Sequence, residues 1–273
     1  MRGLYTAGVL DVMLDLGFEP DVICGTSAGV TFGVNLKPKQ RERVLRYNTR
    51  FAGDKRYISV DSLLRTGNMV NVPFAYDLLP RELDPFDNET YMRTPTTFFA
   101  TVTNVRTGKA EYMRVEDMWR DMDIVRASAS LPFLSRLVRI GEDDYLDGGI
   151  VDNIPLDKCL EEGCERIVVV LTRPKGQLTN DHLRLLSRLW YPAYPALCHA
   201  FDVRNERYRQ RMEQIDELEK EGKLLVIRPS KSFPIARLEQ DAGKLRQLYE
   251  LGLQDAQLRA ADLQAFRTSQ PGE

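Results

Sequence analysis

A serine between two glycines lies where a strand pattern gives way to a helix pattern, and it constrains the fold more than any other feature. The short apolar segment 21–24 predicts a buried strand, and a helical pattern begins at residues 30–34. Between them, residues 25–29 read GTSAG and match G-x-S-x-G. Gly25 and Gly29 remove the Cβ clashes of a sharp strand-to-helix turn, which would expose the serine Oγ beside a helix N-terminus that favours negative charge. The motif predicts an α/β fold with Ser27 as a nucleophile, and an ordinary turn is the alternative.

The remaining patterns predict one α/β domain followed by a mostly helical C-terminal portion. Strands are predicted at 96–103, 110–115, 137–140, 166–172 and 223–228, and the first two form a hairpin. Helices are predicted at 4–16, 116–130, 154–162, 179–190, 197–221 and 236–266. Residues 38–95 are irregular and predict an insertion of short helices and loops.

Composition excludes several classes of protein. With 273 residues and 43% hydrophobic content, the chain can bury a substantial core and is not disordered. Its 38 basic and 40 acidic residues give a formal charge of −2, so we expect no nucleic-acid partner. No stretch approaches the roughly 20 apolar residues of a membrane span. Asp11 and Asp15 interrupt the N-terminal apolar run, which argues against a signal peptide and predicts a cytoplasmic protein.

The cysteines and histidines do not have the spacing of a metal site. The four cysteines, at positions 24, 159, 164 and 198, include no CxxC pair. Their apolar surroundings predict buried free thiols in a reducing compartment. His182 and His199 are the two histidines of the chain, and they form no HxxxH pair. We therefore predict no metal site.

A nucleophilic serine needs a base, and Asp147 is the best candidate. His182 lies in a charged run typical of an exposed helix, and His199 follows an aromatic stretch typical of a core position. Neither follows a strand pattern. Asp147 follows a strand-like segment and precedes Gly148 and Gly149, which would let the backbone approach closely and point the carboxylate into a site. Burial would raise the pKa of this carboxyl and make it a usable base, whereas the alternative is an ordinary Asp-Gly turn.

Four motifs in order give the chain a resemblance to the patatin-like phospholipases, which are lipid acyl hydrolases with a Ser-Asp dyad. Arg2 and Gly3 resemble the end of the family's G-G-G-x-R-G block, and GTSAG resembles its nucleophile elbow. Ala127-Ser128 with Pro132 resembles the A-S-x-x-x-P block, and residues 147–149 resemble the dyad block. The resemblance covers roughly residues 1–175.

The resemblance implies a fold and a mechanism. The fold is a three-layer α/β/α arrangement with a mostly parallel central sheet. Residues 1–175 form the catalytic domain, and residues 176–273 form a mostly helical region packed on it. Ser27 attacks the ester carbonyl, Asp147 accepts its proton and later activates water, and Ser128, Pro132, Gly148 and Gly149 support the site. The family needs no cofactor or metal. Its partner is a lipid or fatty-acyl ester, which implies transient contact with a membrane surface.

One departure from the family concerns the oxyanion hole. The family builds it from backbone amides of the G-G-G-x-R-G glycines, and here those glycines and the preceding strand would lie before Met1. Arg2 and Gly3 would then be a remnant of that loop. We expect the true start of the protein to lie upstream, and a compromised enzyme is the alternative.

Three interpretations of function remain open at the level of sequence. The first is a lipid acyl hydrolase, the second a catalytically impaired lipid-binding relative, and the third an acyltransferase using the same acyl-serine. The basic stretch 41–50 predicts a solvated helix face or a weak attraction for anionic headgroups. Phe74, Tyr76, Leu78 and Leu79 either line an acyl tunnel or belong to the core.

Overall fold

The structure is a computed structural model that describes residues 1–176 and 183–268. Its first half contains α1 (Gly3–Asp15), β1 (Val22–Thr26), α2 (Ala28–Gly33), α3 (Arg43–Arg50), α4 (Val60–Thr66), a π-helical segment (Phe74–Leu83), α5 (Asn88–Arg93), β2 (Thr97–Asn104), β3 (Ala110–Arg114) and α6 (Met122–Ser128). The second half contains β4 (Val138–Ile140), β5 (Asp143–Asp147), a 3₁₀ turn (Gly148–Ile150), α7 (Leu156–Glu161), β6 (Ile167–Val170), α8 (Leu183–Trp190), α9 (Pro195–Lys220), β7 (Leu224–Ile227), α10 (Ala242–Leu258) and α11 (Ala260–Thr268).

Strand β2 is the centre of the larger sheet. One of its edges pairs antiparallel with β3, so that Thr101 lies opposite Tyr112. The other edge is shared by two strands: β1 runs parallel to β2 up to the pair Thr26–Thr101, and β5 runs antiparallel and ends with Asp147 opposite Val102. The C-terminal ends of β1 and β5 therefore meet at adjacent positions along one edge of β2.

The α/β class is confirmed, but the expectation of a mostly parallel sheet is wrong in its detail. In the five-stranded sheet only β1 and β2 are parallel, whereas β2–β3, β2–β5 and β4–β5 are antiparallel. For β2–β3 and β4–β5 the physical reason is that the connections between the strands are short. Asn104 caps the turn after β2 by accepting the amides of Arg106 and Thr107, and a turn at Gly141 (φ 60°) joins β4 to β5. Connections this short can join only antiparallel neighbours. The separate β6–β7 pair is parallel.

Two predicted helices are shorter than their patterns indicated. The pattern over 116–130 becomes α6 alone, because the Asp121 carboxylate accepts the amides of Glu116 and Asp117 and holds these residues in a loop. The pattern over 236–266 begins only at Ala242, where Asp241 caps α10 by accepting the amides of Gly243 and Lys244.

The basic stretch 41–50 is a solvated face except at Arg43, because Arg41, Arg46 and Arg50 are exposed. Arg43 is buried and donates to the Asp84 backbone oxygen and to Asn35 Oδ1. Arg46 forms a two-pronged ion pair with the Asp84 carboxylate, at 2.7 and 2.8 Å. This ion-paired cluster ties α3 to the end of the π-helical segment, so the arginines at 43 and 46 are structural.

The largest core cluster joins the two ends of the described chain. It contains Leu4, Val9 and Val12 of α1 together with Leu245 and Leu248 of α10. These two helices approach closely because glycines replace larger residues at their crossing. A Cβ at Gly8 would lie 2.2 Å from the Tyr249 oxygen, and one at Gly252 would lie 2.1 Å from the Tyr5 oxygen.

Gly252→Ala is expected to lower the free energy of unfolding by about 1–3 kcal/mol, because the added methyl group forces α1 and α10 apart. Gly33→Ala is the matched control, since its Cβ would make only an ordinary contact of 3.5 Å with the Phe98 ring. Urea denaturation of both variants measures the difference, and equal stabilities would contradict the close crossing.

Candidate active site

The structure brings Ser27 and Asp147 into direct contact. Ser27 Oγ donates a hydrogen bond to Asp147 Oδ2 at 2.6 Å. Ser27 stands between the last residue of β1 and the first residue of α2, and Asp147 is the last residue of β5. The meeting of β1 and β5 on one edge of β2 thus places the two side chains together, although they are 120 positions apart in sequence.

The turn at Ser27 is strained in the way that its motif predicts. Ser27 has φ 57° and ψ −116°, a backbone conformation that non-glycine residues rarely adopt. Gly25 and Gly29 lie face to face across the turn, since a Cβ at Gly25 would come within 2.7 Å of the Gly29 oxygen. This tight crossing turns the chain sharply and aims the Ser27 hydroxyl at Asp147.

The buried hydroxyl of Ser128 fixes the position of the turn at Ser27. Ser128 is fully buried at the end of α6, and its Oγ accepts the Ser27 amide at 3.0 Å while donating to the Thr101 oxygen at 2.7 Å. Ser128 therefore links the strained turn to β2. Pro132 is also buried, in the loop that follows, and precedes Phe133 at φ 67°.

The Asp147 carboxylate is buried and fixed on both sides. Asp147 is only 5% exposed to solvent. Its Oδ1 accepts a hydrogen bond from the Gly149 amide at 2.7 Å. The Asp147 amide donates to the Ser130 oxygen at 2.9 Å. A Cβ at Gly148 would lie 2.3 Å from the Thr101 oxygen, so this position must be glycine for β5 to reach the site.

Burial dominates the electrostatics of Asp147. It raises the pKa of the carboxyl above its ordinary value, while the hydrogen bonds from Ser27 and the Gly149 amide and the charges of Arg204 and Arg237 oppose the rise. The net direction is upward. A carboxyl with a raised pKa is a stronger base than one in water, which is what removing a proton from serine requires.

The positive charges near Asp147 come from the C-terminal part of the chain and have no sequence motif. Arg204 of α9 donates from Nε to the Gly149 oxygen at 2.7 Å. Arg237 lies in the segment between β7 and α10. A single arginine in a charged helix looks like any surface residue, so sequence reasoning missed both. Only a periodic pattern that marked the inward face of α9 could have found Arg204.

Arg2 and Gly3 lie at the start of α1, next to this charged region. Gly3 packs against α2, where a Cβ would lie 2.6 Å from Ala28 Cβ. Burial and the charge of Arg237 both lower the pKa of Arg2. These two residues therefore adjoin the serine turn through α2, and their role in the site stays a prediction.

The remaining candidate residues occupy core, partly buried and surface positions. Phe74 and Leu79 are buried in the core. Tyr76 is partly buried beside the site, where burial raises its pKa to about 12 and the charge of Asp147 adds to the rise. His199 is exposed on α9, so the expectation of a core histidine is wrong, because its neighbours Leu197, Cys198 and Phe201 occupy the inward face of that helix.

The other expectations from the sequence concern residues away from this site. His182 is not among the residues that the structure describes. Cys198 is buried, whereas the other three cysteines are only partly buried. Within residues 1–176 and 183–268, no group of three or more histidine, cysteine or acidic side chains is arranged to hold a metal ion. In the same residues, no helix combines the length and apolar character needed to cross a membrane.

Comparison with known proteins adds independent information. A family model described as patatin-like phospholipase matches residues 1–160, and another, described as a domain of unknown function (DUF6363), matches residues 194–267. The uncharacterized protein YjjU of Escherichia coli (strain K12) is 26% identical over 263 residues, which are 92% of this chain and 72% of that protein.

Fungal lysophospholipases are also similar to the chain. Lysophospholipase nte1 of Aspergillus niger is 29% identical over 181 residues, and lysophospholipase NTE1 of Candida albicans is 25% identical over 274 residues. The matches cover 62% and 96% of this chain but only 11% and 19% of those proteins.

The family match confirms the resemblance seen in the four motifs. The matching model covers more than half of the chain and contains both Ser27 and Asp147. The chain therefore belongs to the patatin-like phospholipase family, a family of lipid hydrolases.

Proposed function

We propose that the chain hydrolyses fatty-acyl esters of lipids through an acyl-Ser27 intermediate, with Asp147 as general base. The observation that carries this proposal is the 2.6 Å hydrogen bond from Ser27 Oγ to a buried carboxylate whose pKa burial raises. A serine that donates to a base of this kind is the arrangement that nucleophilic catalysis requires. Family membership supplies the lipid ester as the substrate class.

The first half-reaction forms the acyl-enzyme. Ser27 Oγ attacks the ester carbonyl carbon while its proton passes to Asp147 Oδ2. The tetrahedral intermediate then collapses, and the leaving alcohol takes the proton from Asp147. The amide of Ala28, the first residue of α2, points out of the helix N-terminus, where amides have no acceptor within the helix. We assign it as one donor to the oxyanion.

The second half-reaction releases the fatty acid. Water gives a proton to Asp147 and attacks the acyl carbon, and collapse of the second intermediate returns the proton to Ser27 Oγ. Asp147 thus acts first as a base and then as an acid in each half-reaction. Its hydrogen bonds with the Gly149 amide and the Ser130 oxygen hold it in place during both. The arginine charges near Asp147 favour its ionised state between the steps.

Ser27→Ala and Asp147→Asn are expected to lower kcat/KM for a water-soluble nitrophenyl ester by at least about 10³-fold, because each removes half of the dyad. Ser130→Ala is the control, since its hydroxyl bonds to the Arg126 oxygen and not to Ser27.

Product analysis with an added alcohol distinguishes transfer of the acyl group to that alcohol from hydrolysis. Hydrolysis that survives Ser27→Ala would refute the mechanism, and lipid binding without turnover in the unsubstituted protein would indicate an impaired relative.

Thermal unfolding gives an independent check on Asp147. Its pKa is higher in the folded state than in the unfolded chain, so the folded state prefers the neutral acid. This stabilisation is present at low pH and is lost as the pH rises through the folded-state pKa. Asp147→Asn mimics the neutral acid, so its Tm at neutral pH should equal or exceed that of the unsubstituted protein. A large fall in Tm would show that the charged carboxylate is needed for folding.

The pH dependence of kcat/KM should report the Asp147 carboxyl. Because the base must be ionised, activity is expected to fall on the acid side with a midpoint above 3.8, the ordinary pKa of an aspartate carboxyl. Removing a nearby positive charge raises the pKa further, so Arg204→Gln should move this midpoint to higher pH. Arg209→Gln is the control, because Arg209 is exposed on the same helix and pairs with Glu206. Identical pH profiles for the two variants would contradict the assignment.

Ser128→Ala is expected to lower kcat/KM by about 10-fold to 100-fold, because it leaves the Ser27 amide and the Thr101 oxygen without their buried partner. The strained turn would then relax and displace Ser27 Oγ from Asp147. Ser130→Ala serves again as the control. Measurement at a temperature where circular dichroism shows both variants folded separates this effect from unfolding, and equal rates would remove Ser128 from the site's support.

A further inference from the structure

Two helices next to the active site present large apolar side chains to solvent. On α8, Leu185, Leu189 and Trp190 are 77%, 79% and 62% exposed, and on α4, Val60 and Leu64 are 62% and 81% exposed. Exposed leucines are ordinary when scattered singly, but several on two short helices need an explanation. We propose that α4, α8 and the loop 131–136 between them form a docking surface for the anionic phospholipid–water interface.

Helix α8 has its apolar side turned outward. Leu185 and Leu189 are one turn apart, as are Leu186 and Trp190, and all four are exposed. Among residues 184–190 of α8, the buried residue is the small, polar Ser187, whose hydroxyl donates to the Arg184 oxygen. A surface helix that packs on its own protein normally buries its leucines. This reversed arrangement is typical of a helix that lies in a lipid interface.

The loop 131–136 brings the two helices to the same place. At one end the Phe133 ring stacks edge-on against Trp190 with centroids 6.0 Å apart, and the Phe133 amide donates to Tyr191 Oη at 3.1 Å. At the other end, the Arg136 amide donates to Asn68 Oδ1 at 3.0 Å, directly after α4. The loop therefore contacts both helices within four residues.

The same loop starts at the active site. The Ser130 oxygen accepts the Asp147 amide at 2.9 Å, and Ser128 holds the Ser27 turn. Three residues separate Ser130 from Phe133, a span of at most about 11 Å. The loop thus joins the groups that contact Asp147 and Ser27 to the apolar surface over a short distance, and a lipid interface docked on that surface would lie near Ser27. The choice of a lipid surface as occupant rests on the proposed function.

Charge at the rim of the surface favours an anionic interface. Within the part of the chain that the structure describes, Arg184 and Arg188 of α8 pair with the same carboxylate, that of Asp202, so these three side chains carry a net positive charge. Arg136 of the loop is exposed, and Arg65 of α4 pairs with Asp61. The whole chain has a formal charge of −2, yet these groups sum to a positive charge. Arginines beside a leucine and tryptophan face complement phospholipid headgroups of negative charge.

Vesicle binding tests the surface without catalysis. In a Ser27→Ala background, the protein is mixed with vesicles of phosphatidylcholine and phosphatidylglycerol and centrifuged. Replacing both Leu185 and Leu189 by Asp should weaken the partition by about tenfold or more, because two apolar side chains are lost and two negative charges added. The double variant Leu160→Asp, Leu258→Asp is the matched control, since these leucines are 44% and 82% exposed on α7 and α10, outside the proposed surface. Equal loss in both variants, or no loss in either, would overturn the proposal.

Trp190 supplies a direct readout of insertion. Its fluorescence should shift to shorter wavelength when the vesicles are added, and Trp190→Phe should remove the shift while the protein still binds. An unchanged emission spectrum in the bound state would overturn the placement of α8 in the interface. Dimers that dissociate on the same Leu-to-Asp changes, with no vesicle binding, would identify a second copy as the occupant instead.

Two substrates distinguish failure of this inference from failure of the proposed function. The Leu185→Asp, Leu189→Asp variant should hydrolyse a water-soluble nitrophenyl ester at the unsubstituted rate but lose activity on vesicle phospholipid. Equal activity of this variant and the unsubstituted protein on vesicles would overturn the docking surface and leave the dyad intact. Vesicle binding in a protein that hydrolyses neither substrate would refute the dyad and leave the docking surface standing.

Discussion

The shared edge of β2 is the constraint on which the candidate site depends. Strand β1 ends at Thr26 opposite Thr101, and β5 ends at Asp147 opposite Val102. Because the two strands approach from opposite directions, their ends meet where the ladder hydrogen bonds fix both backbones. The Thr101 oxygen also accepts the Ser128 hydroxyl, so one short stretch of β2 sets the positions of Ser27, Asp147 and Ser128.

Keeping a carboxylate at this junction costs stability, and the structure offsets the cost with groups from both parts of the chain. The Gly149 amide and Ser27 hydroxyl bond to the carboxylate directly, and Arg204 reaches the same 3₁₀ turn through the Gly149 oxygen. Burial still dominates, so the carboxyl pKa stays raised. A fully paired carboxylate would be a weaker base, and an unpaired one would be protonated; this intermediate balance suits proton transfer. The charge of Arg204 makes α9 part of the electrostatic environment of Asp147.

Sequence reasoning succeeded where the chemistry is local and failed where it depends on packing. The strained turn at Ser27 needs flanking glycines, and the close contact between the backbones of residues 148 and 101 needs Gly148. The two sequence motifs therefore indicate these features directly. Short turns make β2–β3 and β4–β5 antiparallel, whereas the direction of β5 beside β2 depends on the packing of segments far apart in the sequence. Arg43 looks like a surface residue in a basic run, yet it is buried because Asp84, far along the chain, supplies a partner. Arg204 was missed for the same reason, since only the docking of α9 brings it to Gly149.

The loop after α6 must be rigid where it contacts the candidate site, and a few residues later it contacts helices that are exposed to solvent. The Ser128 hydroxyl and the Ser130 backbone oxygen must be rigid, because they accept the Ser27 and Asp147 amides at 3.0 and 2.9 Å. A few residues later, Phe133 and Arg136 lie against the exposed helices α8 and α4. Phe133 contacts the exposed Trp190, and its ring also packs against the buried rings of Tyr191 and Phe201, which anchor that end of the loop. The exposed face can therefore be apolar without making the site mobile, because the anchor lies between them.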